Sequence, residues 1–234
     1  MPPTVNKQQT ITQTLTILKK HYEPAEPEKR PVLEQLLYGV LREGATRDQA
    51  DVAFRNLQQR FFDWNEVRVS AIAEVQSALE ALPLAEAKAG RVIGILQEVF
   101  ERNFSFCLDE IDKKGLKNAA RELGRMPDVS GFAAGWVMQQ ALSGHALPLD
   151  VPTLRVLTRL GVSEIDEDPE ALRSTLEHYV PKAKGPLFNE VLSQVAKDFC
   201  WENDPHCSAC PLLKECPTGQ VRKHSEPRPR LKPR

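Results

Sequence analysis

Residues 123–162 read LGRMPDVSGFAAGWVMQQALSGHALPLDVPTLRVLTRLGV. A helix ends near Leu123-Gly124, the turn Pro127-Asp128-Val129-Ser130-Gly131 follows, and a second helix begins. This is a helix–hairpin–helix. Backbone N–H groups at such a turn and at the next helix N-terminus can hold one phosphate without a positive side chain. An ordinary connection between packed helices has the same local sequence. Asp150 comes about 20 residues later, ahead of Val151-Pro152-Thr153-Leu154-Arg155. Asp at N-cap with Pro in the first turn is a standard helix start. A carboxylate there could also face the hairpin across a cleft. It would then stabilise positive charge at a sugar anomeric carbon or activate water. The two roles are compatible.

Upstream, the 3.6-residue period dominates. In PVLEQLLYGVLRE, residues 31–43, Val32, Leu36, Leu37, Val40 and Leu41 share one helical face, with Pro31 at the start. The pattern predicts further helices over 47–62, about 69–82 and about 84–101, with breaks near Asn65 and at Pro83. Segments 115–123, 131–143, 151–160, 169–179 and 186–199 add more. Residues 1–30 are polar, with a proline-rich connection over 23–31. Alternating strand patterns, 20–50-residue repeats and a GxxxxGK phosphate loop are missing. The expected class is all-α.

Downstream, FCWENDPHCSACPLLKEC (199–216) places Cys200, Cys207, Cys210 and Cys216 at gaps of six, two and five residues. Four thiolates this close point to a metal centre more than to disulfides. Structural zinc sites usually pair two short knuckles across a longer spacer. A single compact wrap suits a cubane iron–sulfur cluster, with one thiolate per iron. Cys107, in NFSFC, stands apart and reads as a buried core thiol.

The composition sets the limits. The chain has 234 residues, 41% hydrophobic and 27% charged, enough for a sizeable core. No apolar run approaches the ~20 residues that span a bilayer, and MPPTVNKQQT has no signal-peptide core. The expectation is a soluble protein in a reducing cytoplasm. The formal charge of −1 hides an asymmetry. Pro217–Arg234 holds six basic residues and Glu226, a net +5, which leaves −6 on residues 1–216. Pro217, Pro227, Pro229 and Pro233 argue against a helix there, so the tail reads as a disordered end or a basic arm for an anionic polymer.

The hairpin, the later Asp and the cysteine spacing together resemble the endonuclease III superfamily of DNA glycosylases, over roughly residues 30–217. The resemblance implies two helical lobes: a six-helix barrel over 31–144, and a cluster lobe over 145–216 joined by segment 1–30, with 217–234 as the tail. It implies a 4Fe-4S cluster on the four cysteines, and double-stranded DNA across the groove between lobes, a flipped nucleotide entering it. Asp150 would support cleavage of the N-glycosidic bond. Pro127, Val129, Ser130, Gly131, Arg155 and Lys214 would contact DNA, and Phe132 and Trp136 could stack on the base; core packing is the competing role for both rings.

The departures from the family pattern are equally specific. Family hairpins read close to LPGVGRKTA, and MPDVSGFAA aligns without gaps. Asp128 and Ser130 replace the glycines, and Asp128 adds negative charge where a phosphate would dock. Phe132 replaces the Schiff-base lysine, so no AP-lyase step is expected. Lys113, Lys114 and Lys117 read as a solvated face. Gly44 stands where family members often carry a Gln that fills the gap left by a flipped base. The expected function is a monomeric, monofunctional glycosylase with weakened DNA binding; the alternative is a non-catalytic iron–sulfur DNA-binding or interaction protein. The chain ends soon after the cysteine loop, which argues against adenine-mismatch specificity.

Overall fold

A computed structural model describes residues 6–23, 27–164 and 167–225. Among them all regular structure is helical. In chain order the helices are α1 (Lys7–Tyr22), α2 (Val32–Arg42), α3 (Arg47–Arg60), α4 (Trp64–Val69), α5 (Ile72–Ala78), α6 (Ala85–Asn103), α7 (Glu110–Lys113), α8 (Leu116–Leu123), α9 (Gly131–Gln140), α10 (Val151–Arg159), α11 (Pro169–Tyr179), α12 (Gly185–Asp198) and α13 (Pro217–Ser225).

Two separate apolar cores organise them. The first gathers side chains from α2 through α9, from Val32 to Leu142. Helix α2 is its axis: every residue except Glu34 is buried. Gly39 makes this possible, because a Cβ there would stand 3.2 Å from the Trp136 side chain on α9. Each fully buried Leu on α2 contributes about 1.5–3 kcal/mol relative to exposure. The second core joins α1 to α10, α11 and α12, with Leu147 and Leu212 from the connections.

Local chemistry sets the boundaries. Thr46 and Gln49 form a reciprocal capping box that starts α3 (Thr46 N to Gln49 Oε1, 3.1 Å). The helix expected over 69–82 is the shorter α5, and the break expected near Asn65 lies inside α4, the chain turning instead at Ser70. Asp63 caps α4 through Glu66 N, and Ser70 leaves the helical region and turns its hydroxyl back to Glu66 O. Helix α1 lies in the stretch read as polar. Its stripe Ile11, Thr14, Leu15 and Leu18 is buried, and Asn6 caps it.

Two further readings are corrected. Cys107 is exposed, because it follows the left-handed C-cap of α6 at Phe104 and lies outside both cores. The first half of the supposed tail is helix α13; Pro217 occupies its first position, where a missing N–H costs nothing. Residues 226–234, with most of the basic charge, lie outside the described residues.

Between the cores runs a polar seam. Arg42, at the end of α2, donates to Ser193 Oγ (2.8 Å) and pairs with Glu190 (3.3 Å) on α12, and Asn189 donates to Gln139 on α9 (3.0 Å).

Candidate active site

Asp150 sits at this seam as the N-cap of α10. Its Oδ1 accepts from Thr153 N (2.9 Å) and its Oδ2 from Gly44 N (2.8 Å). The residue is only 6% exposed. Gly44 can make this contact because its φ is +71°, a left-handed conformation that costs other residues free energy. Gly44 is therefore more than a missing side chain: it brings a backbone donor from the α2–α3 loop onto the carboxylate.

The loop is itself held from below. Lys88, near the start of α6, is buried, and its ammonium donates to the carbonyls of Val40 (2.8 Å), Leu41 (2.8 Å) and Glu43 (2.6 Å). Those are orphan acceptors at the end of α2. Burial pushes the Lys88 pKa down to about 8, and Arg91 and Arg42 push the same way. Glu43 and Asp150 pull it back up.

Glu43 connects the loop to the hairpin. Its Oε2 accepts from Arg91 (2.8 Å) and from Ser130 Oγ (2.8 Å). Arg91 also donates to Ser130 Oγ (3.0 Å) and to Asp128 O (3.0 Å). Ser130 caps α9 through Ala133 N (3.1 Å), so its hydroxyl is fully used. Asp128 does not project from the hairpin. Its carboxylate rests against Gly94 of α6, where a Cβ would come within 2.0 Å of Oδ2.

One hydrogen-bonded assembly thus unites Asp150, Gly44, Glu43, Lys88, Arg91 and Ser130. Pro127 and Gly131 are exposed at the hairpin tip, and Val129 is half-buried. Other expected site residues lie elsewhere. Phe132 and Trp136 are buried in the first core, their rings 6.1 Å apart and stacked, with the Trp136 indole donating to Gln35 (3.0 Å). Both are covered by protein in this conformation. The Arg155 guanidinium reaches the Cys200 carbonyl (2.8 Å), which occupies it inside the second lobe. Lys214 is exposed on the loop between Cys210 and Cys216.

Cys200, Cys207, Cys210 and Cys216 line one cavity floored by Phe199 and Leu213. Arg159 donates to Cys200 Sγ (3.2 Å), and Gly219 N to Cys216 Sγ (3.3 Å). Burial pushes the Cys210 thiol up to about 11, with the other three cysteines adding to the rise, and burial raises Cys216 as well. Such thiols ionise when a cation binds them. Among the described residues no three His, Cys, Asp or Glu side chains stand close enough to hold a single metal ion. A tetrahedral zinc needs all four sulfurs about 2.3 Å from one point, whereas a cubane takes one thiolate per iron around a larger body. The donor set fits the cluster better than a lone ion.

No protein-family model matches the chain. It is 31% identical over 101 residues to endonuclease III of Bacillus subtilis, 43% of this chain and 46% of that protein. It is 23% identical over 176 residues to DEMETER-like protein 3 of Arabidopsis thaliana, 66% of this chain and 16% of that one. The matches therefore span less than half the length of these relatives. A non-covalent endonuclease III–DNA complex superposes with TM-score 0.72 at 21% identity, over 94% of this chain and 99% of that one. The chain has the fold of endonuclease III. A thermostable thymine-DNA glycosylase shares this fold (TM-score 0.64, 17% identity, 92% and 97% covered).

Sequence reasoning missed Lys88, Arg91 and Glu43. Lys88 had a readable signal: a lysine at a position in phase with Val92, Ile95 and Val99, the buried stripe of α6. Arg91 and Glu43 had none, since each looks like a solvated charge until the loops meet. Leu84 was missed too. It is 79% exposed with φ +55°, one turn before Lys88 at the start of α6.

Proposed function

We propose that this protein is a DNA glycosylase that hydrolyses the N-glycosidic bond of a damaged or mismatched base in duplex DNA, without a lyase step. The observation that carries the reading is Asp150: a buried carboxylate held by two backbone N–H groups, linked through Gly44, Glu43 and Ser130 to the hairpin. Neutral donors fix such a carboxylate without cancelling its charge. As the base departs with the electron pair of the glycosidic bond, positive charge grows at the anomeric carbon and Asp150 stabilises it. Water then forms the new C–O bond, and its proton neutralises the departing base. Phe132 has no amine to attack the sugar.

Other parts are assigned by their chemistry. The exposed hairpin backbone around Pro127–Gly131 would meet a phosphate, with Ser130 acting through its N-cap bond. Leu84, exposed ahead of α6, would offer an apolar wedge of the kind that inserts between base steps and unstacks them. The four cysteines would hold a 4Fe-4S cluster, which ties the 200–216 loop to α10 through Arg155 and Arg159 and so keeps Lys214 in place. The likeness in fold to a thymine-DNA glycosylase is in keeping with this reading.

The test is a panel of duplexes bearing uracil, alkylated purines and mismatches, incubated with the protein and then treated with alkali. Release of a base by the wild type that disappears in Asp150→Asn is expected, with no adduct after borohydride on an abasic duplex. A silent panel with retained DNA binding would instead establish the non-catalytic reading. A clear borohydride adduct would overturn the missing lyase step.

A further inference from the structure

Upstream of the hairpin, α6 and α8 enclose a groove of about 490 Å³. It is lined by Arg102, Lys114, Asn118, Arg121, Glu122 and Arg125. Four of the six are cations and none is apolar. Lys114 pairs with Glu122 (2.8 Å) and Arg102 with Glu98. Arg121 reaches only the Asn118 amide (2.9 Å), and among the described residues neither Arg121 nor Arg125 is within ion-pair range of a carboxylate. Their guanidinium groups are exposed donors in a concave, positive setting on a body whose first 216 residues carry net −6. Arg125 lies two residues before Pro127, so the groove opens directly onto the hairpin turn.

We infer that this groove binds the sugar–phosphate backbone of duplex DNA next to the lesion, independent of base sequence. Its lining carries the choice of partner. A protein partner would need apolar or aromatic anchors at the centre of the contact, and the groove has none. Reading of bases would need side chains placed at base edges or rings for stacking, whereas fork-shaped guanidinium groups match phosphate oxygens two at a time. The Ser130 hydroxyl is already committed within the protein, so the groove would add side-chain donors to the phosphate contacts of the hairpin backbone. The inference deepens the proposed function, since it names how the same DNA is held.

The test is the salt dependence of binding to an undamaged duplex, measured by fluorescence anisotropy on the full chain. Each lost phosphate contact flattens the plot of log affinity against log salt by about 0.9. Arg121→Gln with Arg125→Gln should therefore flatten it by about 1.8 and weaken binding at low salt. A charge-matched control on α1, Lys19→Gln with Lys20→Gln, should leave the slope unchanged. Equal slopes in wild type and the Arg pair, or equal flattening in the control, would overturn the inference. Wild-type base release is measured separately. Silence there with a flattened Arg-pair slope sinks the catalytic reading and keeps the groove; release with an unchanged slope does the opposite.

Discussion

Asp150 combines a structural and a chemical duty, and the two can be separated at the level of single atoms. As an N-cap it needs one acceptor oxygen, which asparagine also offers, so Asp150→Asn keeps the cap. The amide cannot accept from both Thr153 N and Gly44 N, and it carries no charge. Asp150→Asn is therefore expected to melt within a few degrees of wild type while base release falls by orders of magnitude. An unfolded variant would leave the loss unexplained, and circular dichroism decides that first. Lys88 gives the site a pH signature. Its pKa falls to about 8 in the fold against about 10.4 in the unfolded chain. Below pH 8 both states hold the proton and the burial cost is present in full. Between 8 and about 10.4 the unfolded state binds more protons, so stability rises with pH, by at most about 1.4 kcal/mol per unit. Other groups titrate there too, so the readout is a difference. The urea stability of wild type minus that of Lys88→Met should grow from pH 7 to pH 9.5. A constant difference would refute the lowered pKa.

At the scale of elements, the hairpin is set against α6 by contacts that its own sequence hides. The order of helix, turn, helix and capped α10 was legible because each rule is local: Ser130 and Asp150 are N-cap residues, and the period of α2 and α6 is plain. Asp128 was misread as a charge facing phosphate because its resting place is a glycine 34 residues upstream, and no local rule connects the two. The same holds for the Arg91–Glu43 pair, 48 residues apart in sequence. Phe132 and Trp136 followed local rules in the opposite sense, their packing role matching a helix that faces α2. The Asp128–Gly94 contact can be tested by a double-mutant cycle. Gly→Ala inside a helix normally stabilises by about 1 kcal/mol. In wild type the new Cβ has to displace the Asp128 carboxylate, which offsets that gain. In an Asp128→Ala background the full gain should return, a coupling of about 0.5–3 kcal/mol. Additive effects would mean that Asp128 does not rest on Gly94 in solution.

For the whole molecule, the consequential fact is that one chain folds around two cores joined by a narrow polar seam. The helical period pointed to an all-α protein and the family resemblance implied two lobes, yet α1 was hidden among polar residues. Its buried stripe is only four residues wide and gains meaning from α12 lying across it. The net charge misled in a similar way: near-neutrality concealed a cationic groove on α6 and α8, because Arg102 and Arg125 are distant in sequence. The two cores also differ in what supports them. The first is closed mainly by helices, centred on α2. The second is finished by the 199–216 segment, whose regular structure is one short 3-10 turn at Cys207–Ala209 and whose four thiols face one cavity. Four half-buried thiols without a cation add little cohesion, whereas the proposed cluster would tie them through covalent bonds, so metal binding there would be folding free energy for that lobe. Cys210→Ser is expected to lose iron and the brown colour, and hydrogen exchange should then show its effect unevenly. Amides of α10, α12 and α1 should lose protection, while those of α2, α6 and α9 keep theirs. Uniform loss across both cores would mean that the seam couples the lobes into one cooperative unit. Unchanged protection throughout, with iron gone, would mean that the second core stands without the cluster.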